Sequence, residues 1–101
     1  MILNDGILAD IKIERERQER LRDDGKFVAT CATPRGLRDA ECLTILVEEV
    51  GEVSHEINET IGRFLSGAEW ETYRSKLRNE LIQVAAVAVA WCERIDFEAK
   101  P

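Results

Sequence analysis

The sequence predicts an all-α fold: an antiparallel helical hairpin preceded by an N-terminal helix, completed into a helix bundle by oligomerisation. Three observations predict it. Apolar residues recur at intervals of three and four in three successive runs, the period of helices that bury one side. Phe27-Val28-Ala29 is the one stretch with strand character, and it is too short to be a strand. Leu81 to Cys92 is apolar on every side, which two companion helices of one chain cannot cover. A chain of 101 residues makes one domain, 1–101, large enough to fold without staples.

The first helix is expected from Ile7 to Leu21. Ile7, Leu8, Ile11 and Leu21 supply a thin apolar stripe, and Glu14 to Arg20 mixes charges that pair three and four residues apart. Glu14 and Gln18 continue the Ile7/Ile11 stripe, so both should point inward. An inward Gln needs hydrogen-bond partners, and a ligand can be one. Residues 23–36 have no period and carry Gly25, Thr30, Thr33, Pro34 and Gly36. They read as a loop long enough to act as a flap over a site.

The second helix is expected to begin between Leu37 and Asp39, with Asp39 as N-cap, and to run to about Leu65. Gly51 lies inside it at a cost of about 0.5–1 kcal/mol relative to Ala, a position suited to the close approach of a backbone or ligand. Ser66-Gly67 ends the run, with Gly67 as the C′ residue. The third helix is expected from about Ala68 to Ile95. Its first half is polar and carries Arg74, Lys76 and Arg78; its second half is the apolar stretch. Ala85, Ala86, Ala88 and Ala90 permit close helix approach, so a homodimer or homotetramer through residues 81–92 is expected. Residues 97–101 form a short tail.

Twenty acidic residues against 14 basic ones leave a net charge of −6, a poor match for a phosphate backbone, so no nucleic-acid partner is expected. The three cysteines, Cys31, Cys42 and Cys92, form no CxxC pair, and the single histidine, His55, has no cysteine near it in sequence. That argues against zinc and for reduced thiols in a cytoplasmic protein. No signal-peptide pattern is visible. The 81–92 stretch contains Gln83 and is shorter than the roughly 20 residues a membrane span needs, so no membrane partner is expected.

The second helix carries an acidic stripe. At 100° per residue, Glu48, Glu49, Glu52, Glu56 and Glu59 share one arc beside the apolar arc of Leu46, Val50, Val53, Ile57 and Ile61. Like charges at this spacing cost a few tenths of a kcal/mol per pair. Water, facing arginines or a divalent cation can offset that. Glu80 and Gln83 lie three apart where the third helix turns apolar, a place where an idle charge is expensive. Oxygen ligands facing each other from two antiparallel helices suit Mg²⁺, which binds through a few carboxylates plus substrate phosphates.

Glu48-Glu49-Val-Gly-Glu52 followed by Glu80-Leu-Ile-Gln83 resembles the signature of the MazG-like nucleotide pyrophosphohydrolases, in the all-α NTP pyrophosphatase superfamily. The pattern there is Glu-Glu-x-x-Glu, a spacer, then Glu-x-x-Asp. The Ala/Val-rich run to Trp91 and the Glu-Arg-Glu-Arg-Gln-Glu segment are similar too, so the likeness spans roughly Ile11 to Asp96. The resemblance implies Mg²⁺-dependent hydrolysis of nucleoside triphosphates to monophosphate and pyrophosphate, clearing non-canonical or surplus nucleotides, with Mn²⁺ as a possible substitute ion. It implies Glu49, Glu52 and Glu80 as metal ligands, with Gln83 in the position of the Asp. Glu48, Glu49 and Glu52 would form the catalytic group, one of them taking the proton of the attacking water. Gln83 departs from the pattern: its carbonyl can ligate a hard cation but brings no charge and cannot act as a base. Lys26, Arg74, Lys76 and Arg78 are the candidate phosphate-holding residues, and Gln18 the candidate reader of the base. A phosphoribosyl-ATP pyrophosphatase lies within the same superfamily. The competing class is a non-catalytic helical oligomerisation or binding module with a degenerate metal site.

Overall fold

A computed structural model describes residues 4–99. They form three helices, α1 (Asp5–Asp23), α2 (Asp39–Asn58) and α3 (Gly67–Glu98), and no strand among the described residues. The all-α expectation therefore holds. No helix of the described residues is long and apolar enough to cross a membrane. Met1 to Leu3 and the Lys100-Pro101 end of the expected tail lie outside the described residues.

The helix ends follow local capping chemistry. Asn4 opens α1 earlier than expected: its Oδ1 accepts the amides of Gly6 at 2.7 Å and Ile7 at 3.3 Å. Gly25 closes α1 at φ 78°, which lets the Lys26 amide reach the Leu21 carbonyl at 2.8 Å and the Gly25 amide that of Arg22 at 3.0 Å. Asp39 is not the N-cap of α2. Arg38 holds that position, and its amide donates to Glu41 at 3.0 Å.

Three further expectations are corrected. The second helix stops at Asn58, not Leu65; a turn follows in which Gly62 takes φ 75°. Ser66-Gly67 starts a helix rather than ending one. The Ser66 hydroxyl accepts the Glu69 amide and Glu69 accepts the Ser66 amide, both at 3.2 Å, a reciprocal cap. Finally, α3 continues through Phe97 to Glu98, so the first two residues of the expected tail are helix. Nothing approaches Gly51: a Cβ added there would meet open space.

α1 and α2 each pack on α3, and not on each other. A cleft therefore opens between them with α3 as its floor. The core lies at one end of that cleft, where buried Cys31, Cys42, Val87 and Ala90 meet Leu37, Ile45, Leu46 and Trp91. Arg94 is buried among them and donates to the Leu37 carbonyl and to Asp39; Trp91 Nε1 donates to the same Asp39 at 3.0 Å. These bonds tie the end of α3 to the start of α2. Along α3, Ile82, Ala86, Val87 and Ala90 are buried, whereas Leu81 and Val89 are exposed. One chain therefore covers only part of the apolar stretch.

Candidate functional site

The cleft holds a cavity of about 410 Å³. α1 contributes Glu14, Arg17 and Gln18; α2 contributes Ile45 and Glu49; α3 supplies the floor with Gln83, Val87 and Ala90. The loop from Lys26 to Cys31 forms the remaining wall. The segment expected as a flap thus borders the cavity. It is anchored at Thr30, whose hydroxyl donates to Glu19 of α1 at 2.8 Å and whose amide donates to the Thr33 hydroxyl at 3.0 Å. Phe27 and Val28 stand on the rim, with Val28 fully exposed.

The acidic group lies where the cleft meets the α2–α3 contact. Glu49 Oε2 and Glu80 Oε2 are buried and have no hydrogen-bond partner. Burial, the charges of Glu80 and Glu52, and that of Glu14 push the Glu49 carboxyl above its ordinary value. Burial, Glu52 and Glu56 do the same to Glu80. Glu52 is exposed, and its charge acts on both. Among the described residues, no three His, Cys, Asp or Glu side chains enclose an ion-sized space in this conformation. The donor set nonetheless fits a hard cation: carboxylate oxygens from two helices, out of water and lacking donors.

Of the residues the sequence pointed to, Gln18, Lys26, Glu49 and Gln83 line one cavity, and Glu52 and Glu80 couple to it by charge. Glu48 is exposed and does not line it. Arg74 and Arg78 border a different groove with Leu77 and Leu81, and Arg78 pairs with Asp10 at 2.7 Å. Lys76 lies in a third groove with His55, Glu56 and Glu59.

Two arginines of α1 take part that the sequence reading passed over. Arg17 lines the cavity and clamps Glu14 through two hydrogen bonds of 2.8 Å. Arg15 is buried at 7 % exposure and bonds Glu93 of α3 through two contacts of 3.2 Å, Glu19 at 2.8 Å and Gln18 at 2.8 Å. The signal was there: Arg15 stands four residues after Ile11 on the inward stripe. Lys26 makes no ion pair among the described residues, which leaves its charge free at the cavity edge. At the end of this wall, burial and a hydrogen bond with Cys42 push the Cys31 thiol up to about 12, so Cys31 serves packing rather than nucleophilic attack.

Comparison with protein-family models, with curated proteins and with solved structures finds no match.

Proposed function

We propose that this chain is a Mg²⁺-dependent nucleoside triphosphate pyrophosphohydrolase of the MazG-like kind, acting on non-canonical or surplus nucleotides. The observation that carries the reading is the pair of buried, partnerless carboxylate oxygens of Glu49 and Glu80, on different helices beside a nucleotide-sized cleft. In this reading α2 and α3 form an antiparallel hairpin whose facing acids hold the cation, and copies of the chain complete the bundle. Glu49, Glu52 and Glu80 hold the ion, with the Gln83 carbonyl as a neutral fourth oxygen. A bound ion would supply charge to offset the phosphates and would lower the pKa of the attacking water.

The chain's own residues do the rest. A carboxylate of the Glu48/Glu49/Glu52 group takes the proton from water as its oxygen bonds to the α-phosphorus. The bond from that phosphorus to the α–β bridging oxygen breaks, and pyrophosphate leaves with the bonding pair. Lys26 and Arg17, the cations at the cleft, hold the phosphates in place of the more distant Arg74, Lys76 and Arg78. The base enters the apolar end between Phe27, Ile45 and Val87.

The test is product analysis from a panel of canonical and modified NTPs and dNTPs, with Mg²⁺, with Mn²⁺ and with EDTA. Pyrophosphate and the matching monophosphate are expected with metal and not with EDTA. Glu49→Ala should abolish turnover without unfolding the chain, and Glu52→Gln should lower kcat by about 10²–10⁴-fold if it is the base. Release of orthophosphate overturns the assignment of the bond. No release with either metal favours the binding-module reading, and Gln83→Asp then tests whether the missing charge is the cause.

A further inference from the structure

We infer that Arg15 is a positioning residue that fixes the side-chain amide of Gln18, so that the cleft reads an oxo group on the base. The nucleotide as ligand rests on the function proposed above; the amide orientation does not. Arg15 Nη1 donates to Gln18 Oε1 at 2.8 Å. A guanidinium carries donors only, so the partner atom must be the amide oxygen and not its nitrogen. Gln18 Nε2 then points away from Arg15. It has no acceptor among the described residues, and Gln18 lines the cavity. Two N–H donors are therefore offered to whatever occupies the cleft.

Arg15 is itself held. Its Nε and Nη2 engage both oxygens of Glu93, each at 3.2 Å, so the fork is locked between α1 and α3. Glu19 takes the remaining direction at 2.8 Å and also accepts the Thr30 hydroxyl. The clamp thus joins both helices and the loop wall, and an amide flip at Gln18 would face Arg15 with a second donor. The other polar side chains at the cleft carry charge, apart from Gln83 and the committed Thr30. A neutral base edge is met by Gln18. An oxo group accepts from it, whereas an exocyclic amino group sets donor against donor. Bases with an oxo group at that edge are favoured over their amino counterparts.

The experiment compares equilibrium binding of matched monophosphates that differ in this group, UMP against CMP and IMP against AMP, by calorimetry with Mg²⁺ on the full chain. Binding reports without turnover, so its failure is separable from failure of the hydrolytic reading. The oxo member of each pair should bind about tenfold more tightly, the scale of one neutral hydrogen bond gained against one left unmade. Gln18→Glu, which offers only acceptors, should erase or reverse the preference. Arg15→Met should level it by freeing the amide, Arg15→Lys should restore part of it, and circular dichroism checks that each variant folds. If the chain also turns over triphosphates, Arg15→Met should change KM ratios between bases and leave kcat for a good substrate within a few fold. Equal binding within both pairs overturns the inference, as does a preference that survives both Gln18→Glu and Arg15→Met, or an absence of binding by all four. Selective binding without pyrophosphate release keeps this inference and overturns the hydrolytic one.

Discussion

A carboxylate that loses water without gaining a hydrogen bond holds its proton more tightly, and Glu49 and Glu80 both meet that condition. Their native values lie above the ordinary 4.5, so between that value and the raised ones the folded chain binds more protons than the unfolded chain. Stability from these two groups therefore rises as pH falls through the raised native values and is lost as pH climbs back through them. Glu80→Gln in EDTA should raise the melting temperature at pH 7 by about 1–4 °C, the worth of one like-charge contact in a small domain. It should also flatten the rise on going toward pH 4.5. Thermal unfolding across that range checks this, and a Glu80→Gln/Glu49→Gln chain with an unchanged slope would disprove it. With Mg²⁺ present the order should reverse, because only the native ligand set gains from binding. The acidic stripe was legible because helical period alone places Glu49 and Glu52 side by side. The inward arginines are harder to see in the sequence because a mixed-charge run suits a solvated helix equally well, although Arg15 and Arg94 continue the Ile11 and Ala90 stripes. Burial of a guanidinium becomes visible once its carboxylate and carbonyl partners on other elements are known.

Among the elements, the loop between α1 and α2 owes its course to a few bonds, and Thr30 is at the centre of them. It is buried at 6 % exposure, donates to Glu19, and accepts the Ala32 amide at 3.2 Å, while its own amide reaches Thr33. Thr30→Val keeps the shape and removes the hydroxyl, leaving the half-buried Ala32 amide without its acceptor, at a cost of about 1 kcal/mol. Glu19 keeps Arg15 and Arg22 as partners, so the helix itself should hold. Hydrogen exchange should quicken in residues 26–33 and not along α3. If nucleotides are substrates, KM should rise more than kcat falls, since the loop walls the cleft and stands apart from the acids. Uniform loss of protection across all three helices would mean that Thr30 supports the core instead. Helix number and order followed from apolar period, but the boundaries did not. Ser66-Gly67 suits a helix end because Gly commonly follows helices, yet Ser66 with Glu69 three residues later is the reciprocal cap of a beginning. The break at Asn58 had its signal in Gly62, whose positive φ no helix accommodates.

At the scale of the whole molecule, the chain is more extended than a compact domain of its length. Its radius of gyration is 15.8 Å, against about 13 Å for a compact domain of this length. It exposes 7417 Å², roughly 1,600 Å² more than a compact monomer of its mass, and a standard interface takes about 800 Å² from each partner. The apolar part of that surface is not spread evenly. Leu43, Val47, Val50, Ile57 and Ile61, or the turn just past the helix for the last, are all exposed and recur at intervals of four and three, broken only by Ser54. That is the spacing of a seam along which two helices pack. On α3 the exposed residues of the 81–92 stretch are fewer, chiefly Leu81 and Val89. A second copy laid on the α2 seam would hold α2 from the side that α3 leaves open, and with it the helix that carries Glu49 and Glu52. Sedimentation at micromolar concentration should therefore find a dimer or tetramer. Val47→Glu should reduce it to smaller species, and Leu81→Glu should leave the seam pair intact. Dissociation by Leu81→Glu alone would return the contact to the 81–92 stretch, and a wild-type monomer at all concentrations would remove the oligomer from the reading. If the seam is the contact and the chain hydrolyses nucleotides, the Val47→Glu monomer should lose activity more through kcat than through nucleotide affinity, because the cavity lining comes mainly from α1, the loop and α3, with Ile45 and Glu49 from α2, whereas Glu49 and Glu52 of the acidic group both ride on α2.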